Sequence, residues 1–175
     1  MVSLEKTRSY ILSISLFIVA AGVLAWFYIS GEGGSAIRDT HSGNLRVIHF
    51  QTLKTEDDDY LMCAPAACLE SEVDAKSDIY NVSRSELSQA LFSYTDNNAL
   101  IRTYRRDLSL WQFDFTERLS SEKFPHVITV QLIAISPEQS SLNIYSRSEL
   151  GGSNTIVHKE RVDRWLRFME SALSR

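Results

Sequence analysis

The polar residues best suited to binding chemistry lie close together near the end of the chain. The members of this group are Arg147, Ser148, Ser153, Asn154 and His158. Gly151 and Gly152 lie among them and would let the backbone approach a ligand closely. A helix that begins just after this segment would present free amides to an anion, and an arginine can bind a carboxylate or phosphate with two parallel hydrogen bonds. The segment is therefore the candidate ligand-binding site.

A purely structural role explains the same residues. The two glycines can turn the chain, and either Ser153 or Asn154 can cap the last helix. Arg147 can pair with an acidic side chain on a neighbouring strand. Both interpretations stay open on the sequence alone.

No known catalytic or metal-binding motif accompanies this segment. The four histidines lack metal-site spacing, and there is no nucleophile elbow, Walker loop or dinucleotide fingerprint. We therefore predict no catalytic residue, no metal and no cofactor. An enzyme is the alternative, because triads assemble in space rather than in sequence. It would be an envelope hydrolase acting on an ester or phosphate, with His158 as base and Arg147 and Asn154 as positioning groups.

Cys63 and Cys68 are the two cysteines of the chain. An even cysteine count in an extracytoplasmic domain favours a disulfide, and Pro65 would help the chain bend between the two sulfurs. Free thiols and a pair of metal ligands are the alternatives. Zinc normally requires four ligands, and no second pair is present.

Two further groups of side chains have a binding and a structural interpretation. The first is a basic group, formed by Arg102, Arg105 and Arg106. Arginines on an exposed strand are usually solvated or paired, so this group favours a structural role over binding. The second is an aromatic stripe, formed by Trp111, Phe113 and Phe115. A sheet face covered by helices buries such residues, so core packing is favoured over a lipid or hydrophobic ligand cavity.

Residues 10–30 form an uncharged and mostly apolar run. About 20 such residues are needed for a helix to cross a bilayer. Lys6 and Arg8 precede the run, and basic residues stay on the cytoplasmic side. The pattern predicts a cytoplasmic tail at 1–9, a transmembrane helix at 10–30, a flexible linker at 31–44 and an extracytoplasmic domain at 45–175. A cleaved signal peptide and a buried core helix are the alternatives.

These features predict a single-pass protein of the bacterial inner membrane with its C-terminal domain in the periplasm. The chain of 175 residues has 44% hydrophobic and 23% charged residues, which are ordinary globular values. Its net charge of −4 argues against nucleic acid as a partner, because a nucleic-acid-binding protein needs a basic surface.

The apolar periodicity predicts an α+β domain. Ser83 and Glu86 form a capping box, and an apolar face at helical spacing follows them. A second helix is predicted over 157–173, and a short strand is possible at 45–50. Four further strands are predicted, at 100–105, 108–117, 127–136 and 142–147. The short turns between them imply antiparallel neighbours. The expected fold is a four-stranded antiparallel sheet packed against two helices, preceded by the transmembrane helix.

The segment from Ile144 to Val162 resembles the uncharacterised bacterial and plastid family known as domain of unknown function 1499. Four residues fall on positions of that family's motif: Arg147, Ser148, Gly152 and Ser153. Asn154 stands where the family usually has aspartate, and His158 stands where it usually has asparagine. Residues 60–65 also resemble a segment of one branch, and the resemblance covers about 59–173. The family has no established activity, so the resemblance implies no reaction.

The sequence as a whole predicts a membrane-anchored envelope protein that is a non-enzymatic binding or accessory module. Its expected partners are the membrane and either an envelope protein or an anionic or lipidic ligand. The predicted anchor and linker, together with the lack of catalytic motifs, support this interpretation.

Overall fold

The computed structural model describes Val19 and residues 47–122, 124–148 and 154–174. The chain divides into two compact units, Met1–Arg46 and Val47–Arg175. Of the first unit the structure describes Val19 alone, a helical residue with an exposed side chain. The predicted tail at 1–9, helix at 10–30 and linker at 31–44 otherwise lie outside the described residues. All elements named below belong to the second unit.

The predicted fold class is wrong both in its sheet and in its N-terminal transmembrane helix. No helix in the part of the chain that the structure describes has the length and hydropathy needed to cross a bilayer. The sheet has six strands rather than four, and it is mixed rather than antiparallel. Two helices do accompany the sheet, as predicted.

The six strands follow one another in the sheet in the order β2-β1-β6-β5-β4-β3. Their bounds are β1 Tyr60–Cys63, β2 Ala75–Lys76, β3 Ile101–Asp107, β4 Gln112–Glu117, β5 His126–Ser136 and β6 Gln139–Ser148. β1 and β2 pair in parallel, and the other neighbours are antiparallel. The four predicted strands correspond to β3 to β6. Within the possible strand at 45–50, the described residues 47–50 form no strand, and the backbone of Ile48 bonds instead to the side chain of Gln112.

Both helices begin at side-chain caps. Helix α1 spans Arg84–Asp96, and Ser83 and Glu86 form the predicted capping box. Helix α2 spans Thr155–Leu173, two residues earlier than predicted, because the side chain of Asn154 accepts a hydrogen bond from the Val157 amide. Such caps satisfy amides that the first helical turn leaves without partners.

The main hydrophobic core lies between the two helices and one face of the sheet. Strand β4 directs Phe113 and Phe115 into it, and the Phe115 ring lies 5.3 Å from that of Trp165 on α2. The interpretation of the aromatic stripe as core is therefore confirmed. Trp111 packs at the margin of this core, beneath the guanidinium of Arg84 at 4.0 Å.

A smaller apolar cluster lies on the opposite face of the sheet, which we call the second face. Phe50, Leu61, Cys63 and Tyr145 are buried there. A disulfide joins Cys63 to Cys68, which packs against this cluster. The loop that it closes contains Ala66 with a φ of 60°, a left-handed conformation that costs free energy in a residue with a β-carbon.

We expect a double Cys63→Ala, Cys68→Ala variant to lose about 2 kcal/mol of unfolding free energy. The bridge closes a short loop, and a short loop restricts the unfolded chain less than a long one. Urea titration followed by circular dichroism measures the change, and the wild-type protein in reducing agent is the matched control. Equal midpoints for the oxidised protein and the variant would contradict the expectation.

Candidate functional site

The predicted site residues lie on both faces of the sheet rather than in one place. Successive side chains of a strand point to opposite faces, so Ser146 of β6 points towards the helices and Arg147 points to the second face. His158 on α2 contacts Ser146, not Arg147. The structure therefore places Arg147 and His158, the two main candidates, in separate environments.

The remaining candidates lie near the start of α2. Asn154 is the helix cap, with its Oδ1 atom 3.1 Å from the Val157 amide nitrogen. Ser148 is half-buried at the end of β6, opposite His126 of β5. Ser153 lies outside the described residues. The structural role considered for Asn154 is therefore the one that the geometry shows.

Ser146 and His158 form a buried hydroxyl–imidazole pair. The Ser146 Oγ atom lies 2.7 Å from His158 Nδ1, and both residues are 0% exposed. Burial, together with the nearby His126 and Arg161, lowers the pKa of His158 from 6.5 to about 3. The imidazole is therefore neutral at pH 7. A neutral imidazole can act as a general base, but a pKa of about 3 makes it a weak one, and a general base must also reach a proton of the substrate.

A buried ionic cluster lies beside this pair and joins α2 to β4. Glu117 Oε2 accepts hydrogen bonds from three groups of α2, Arg161 Nε at 2.9 Å, Arg164 Nη2 at 2.8 Å and Trp165 Nε1 at 3.3 Å. Arg161 also pairs with Glu122. A charge that is buried without such partners costs several kcal/mol, so the position of α2 on the sheet depends on these contacts.

We expect acid to destabilise the protein through His158. The unfolded chain takes up a proton near pH 6.5, whereas the folded protein does not until about pH 3. The unfolding free energy therefore falls as the pH drops through this window, by up to about 1.4 kcal/mol per pH unit for one proton.

A His158→Gln variant should show a shallower decline over this window in urea titrations made between pH 7 and pH 4. Glutamine can still bond to Ser146 but takes up no proton. His49→Gln, in the exposed segment before β1, is the matched control. An unchanged slope in the His158 variant would contradict this account.

Arg147 lies on the second face between two buried carboxyl groups. Its Nη1 atom donates to Thr129 Oγ1 at 3.2 Å, and the Thr129 hydroxyl donates to Asp114 Oδ1 at 2.7 Å. The guanidinium lies 5.2 Å from the ring of Tyr145, whose hydroxyl donates to Asp59. Burial raises the pKa of both Asp59 and Asp114, and the positive charge of Arg147 opposes that rise in each. The guanidinium therefore balances charges inside the protein.

The basic group on β3 has internal partners as well. Arg105 Nη2 lies 2.6 Å from Asp114 Oδ2 and also donates to Gln112 at 2.9 Å. Arg106 pairs with Asp96 and stacks over Phe92, with 4.1 Å between the guanidinium and the ring centroid. These contacts agree with the structural interpretation of the group.

We expect Arg147→Met to destabilise the protein by about 1–3 kcal/mol at pH 7, because two buried carboxyl groups then lose a compensating charge. Urea titration measures the loss. Arg118→Met is the matched control, since Arg118 is exposed just after β4 and its replacement should change stability little. Equal effects of the two variants would show that Arg147 has no special role.

A row of three side-chain amides crosses the second face, and no sequence motif predicts it. Gln112, Gln131 and Asn143 lie side by side on β4, β5 and β6. Asn143 Nδ2 donates to Gln131 Oε1 at 3.1 Å, and the Ala64 amide donates to Asn143 Oδ1 at 2.9 Å. Polar residues at alternate positions in three consecutive strands were the available signal.

A pocket of about 570 Å³ lies over this amide row. Its walls include the apolar side chains of Val47, Ile48, Leu110 and Ile133. Residues 47–52 form one side, and Gln112 holds this segment through two hydrogen bonds to the backbone of Ile48, at 3.0 and 2.8 Å. The pocket therefore combines apolar walls with a polar floor. We call it the amide pocket.

Metal chemistry has no assembled site in residues 47–122, 124–148 and 154–174. No group of three or more His, Cys, Asp or Glu side chains in these ranges is placed to hold an ion. The alternative in which Cys63 and Cys68 act as metal ligands is wrong, because the disulfide uses both sulfurs.

Comparison of the chain with protein-family models, curated proteins and solved structures finds no match. The resemblance to domain of unknown function 1499 therefore stays a prediction.

Proposed function

We propose that this protein is a non-enzymatic binding module and that the amide pocket receives a small-molecule ligand. One observation carries the proposal: the groups suited to catalysis are sealed, whereas the amide pocket is an open space of about 570 Å³. Small-molecule sites typically measure about 300–1,000 Å³ and combine apolar walls with a few polar groups that orient the ligand.

A hydrolase is the second candidate, and the 2.7 Å contact between Ser146 and His158 favours it. Nucleophile and base are within hydrogen-bond reach, as covalent catalysis requires. Against it, both residues are 0% exposed, and neither lines the amide pocket. A substrate could reach them only after the start of α2 moved away from β6.

An anionic ligand at Arg147 has less support. The guanidinium already contacts Thr129 and the ring of Tyr145, and it lies close to the carboxyl groups of Asp59 and Asp114. An anion would compete with these internal partners for the same charge. The amide pocket is therefore better supported than Arg147 as the ligand site.

The disulfide supports an oxidising compartment as the place where the module works. Disulfides persist in secreted and periplasmic proteins and are rare in the reducing cytosol. The bridge also borders the site, because Ala67 of its loop lines the amide pocket.

We expect a tryptophan at position 133 to fill the pocket and abolish ligand binding. The full-length protein, purified from cells in which it is native, should retain a small molecule that native mass spectrometry detects as added mass. Ile133→Trp should lose that mass. Ile135→Trp is the matched control, since Ile135 is an exposed residue two positions further along β5 and outside the pocket lining.

Three results would overturn the proposal. The first is an added mass that Ile133→Trp retains, and the second is no added mass at all. The third is hydrolysis of p-nitrophenyl acetate or p-nitrophenyl phosphate that disappears in both Ser146→Ala and His158→Ala variants that still fold. The third result would establish the hydrolase instead.

A further inference from the structure

The floor of the amide pocket has a directional hydrogen-bond pattern. Both polar atoms of the Gln112 side chain bond to Ile48, and Asn143 bonds to Ala64 and to Gln131. Gln131 therefore accepts a hydrogen bond at its side-chain oxygen and can donate one from Nε2. That nitrogen donates to the Leu110 carbonyl at 3.5 Å, which is the weak limit of a hydrogen bond.

Gln131 is thus the floor residue whose side-chain donor would form a better hydrogen bond if a ligand supplied an acceptor. Its side chain is half-buried at the centre of the row, with Gln112 on one side and Asn143 on the other. A carbonyl or hydroxyl oxygen placed over Nε2 would provide a shorter and better-aligned acceptor than Leu110 does. The floor therefore recognises a ligand oxygen that accepts a hydrogen bond.

The walls of the pocket are suited to an apolar body. Val47 is 37% exposed and Leu110 is 44% exposed, and both line the pocket beside the half-buried Ile133. A ligand that covers these side chains removes apolar surface from water, which is favourable in proportion to the area covered.

The electrostatics of the lining disfavour a charged ligand. His49 is the one residue with an ionisable side chain among the described lining residues, and no Asp, Glu, Lys or Arg is among them. The guanidinium of Arg105 donates to Gln112 Oε1 at 2.9 Å, but Asp114 already pairs with it at 2.6 Å. A charged group over the amide floor would therefore lose hydration without gaining an opposite charge that lacks a partner of its own.

Resting on the proposed function, we infer that the ligand of the amide pocket is an uncharged amphiphile. It consists of an apolar chain that lies against Val47, Leu110 and Ile133 and a neutral head with one accepting oxygen that bonds to Gln131. A fatty amide, ester or alcohol has this chemistry.

Three probes of equal length and different charge test the inference: octanamide, octanoate and octylammonium. Each is titrated at pH 7 into full-length, ¹⁵N-labelled protein, and the side-chain amide signals of Gln112, Gln131 and Asn143 are followed by NMR. Octanamide should shift the Gln131 signal most, and it should bind at least about tenfold more tightly than either charged probe.

Substitutions at the floor separate head recognition from chain binding. Gln131→Leu should weaken octanamide about tenfold and remove the preference among the three probes. Gln131→Glu should reverse the preference towards octylammonium. Gln139→Leu is the matched control, because Gln139 lies at the far end of β6 and bonds to Asn81 outside the pocket lining. It should keep the wild-type order.

The outcomes separate a failure of the uncharged-head inference from a failure of the proposed binding function. Equal or tighter binding of a charged probe in the pocket would overturn the uncharged-head inference and leave the binding module intact. If no probe shifts the three amide signals and Ile133→Trp also changes no bound mass, both the inference and the proposed function fail. If Gln131→Leu keeps the wild-type preference among the three head groups, a residue other than Gln131 recognises the head group.

Discussion

The carboxylate of Glu117 is the constraint on which much of this structure depends. It is buried at the end of β4, where a bare charge would cost several kcal/mol. Two arginines and a tryptophan, all from α2, donate hydrogen bonds to its Oε2 atom. These bonds hold the helix in its position and rotation on the sheet. That position brings Trp165 against Phe115 in the core and His158 against Ser146 at the helix start.

The sheet sorts the polar residues of the chain into two chemically different sets. On the helix-facing side they form a closed ionic cluster with the Ser146–His158 pair beside it. On the second face they form cross-strand rows, in which amides and hydroxyls outnumber charges. The closed set stabilises the packing of α2. The open set borders a pocket, and the proposed binding function rests on this difference in access rather than on the reactivity of any side chain.

Local patterns in the sequence predicted a good part of the fold. The capping box at Ser83 and the alternation through β4 depend on residues a few positions apart, so they are visible without the structure. β1 and β2 have four and two residues, too few to show a period. The candidate site was predicted from nearness in sequence, but neighbours such as Ser146 and Arg147 face opposite ways in a strand. The amide pocket was missed because Ile48 and Gln112, 64 positions apart, meet only in the folded protein.

The side chain of Gln112 holds Ile48 by the same pair of bonds that a neighbouring strand would provide. A strand, however, is held by a ladder of such pairs, whereas Ile48 is held by one. Tension applied along the chain from its N-terminal side would reach this pair first. Its rupture would release Val47 and Ile48 from the side of the pocket, while Phe50 and Gln51 stayed bonded to Ser71 and Glu70 and the strands stayed paired. Mechanical load from that side would therefore reach the pocket before it reached the sheet.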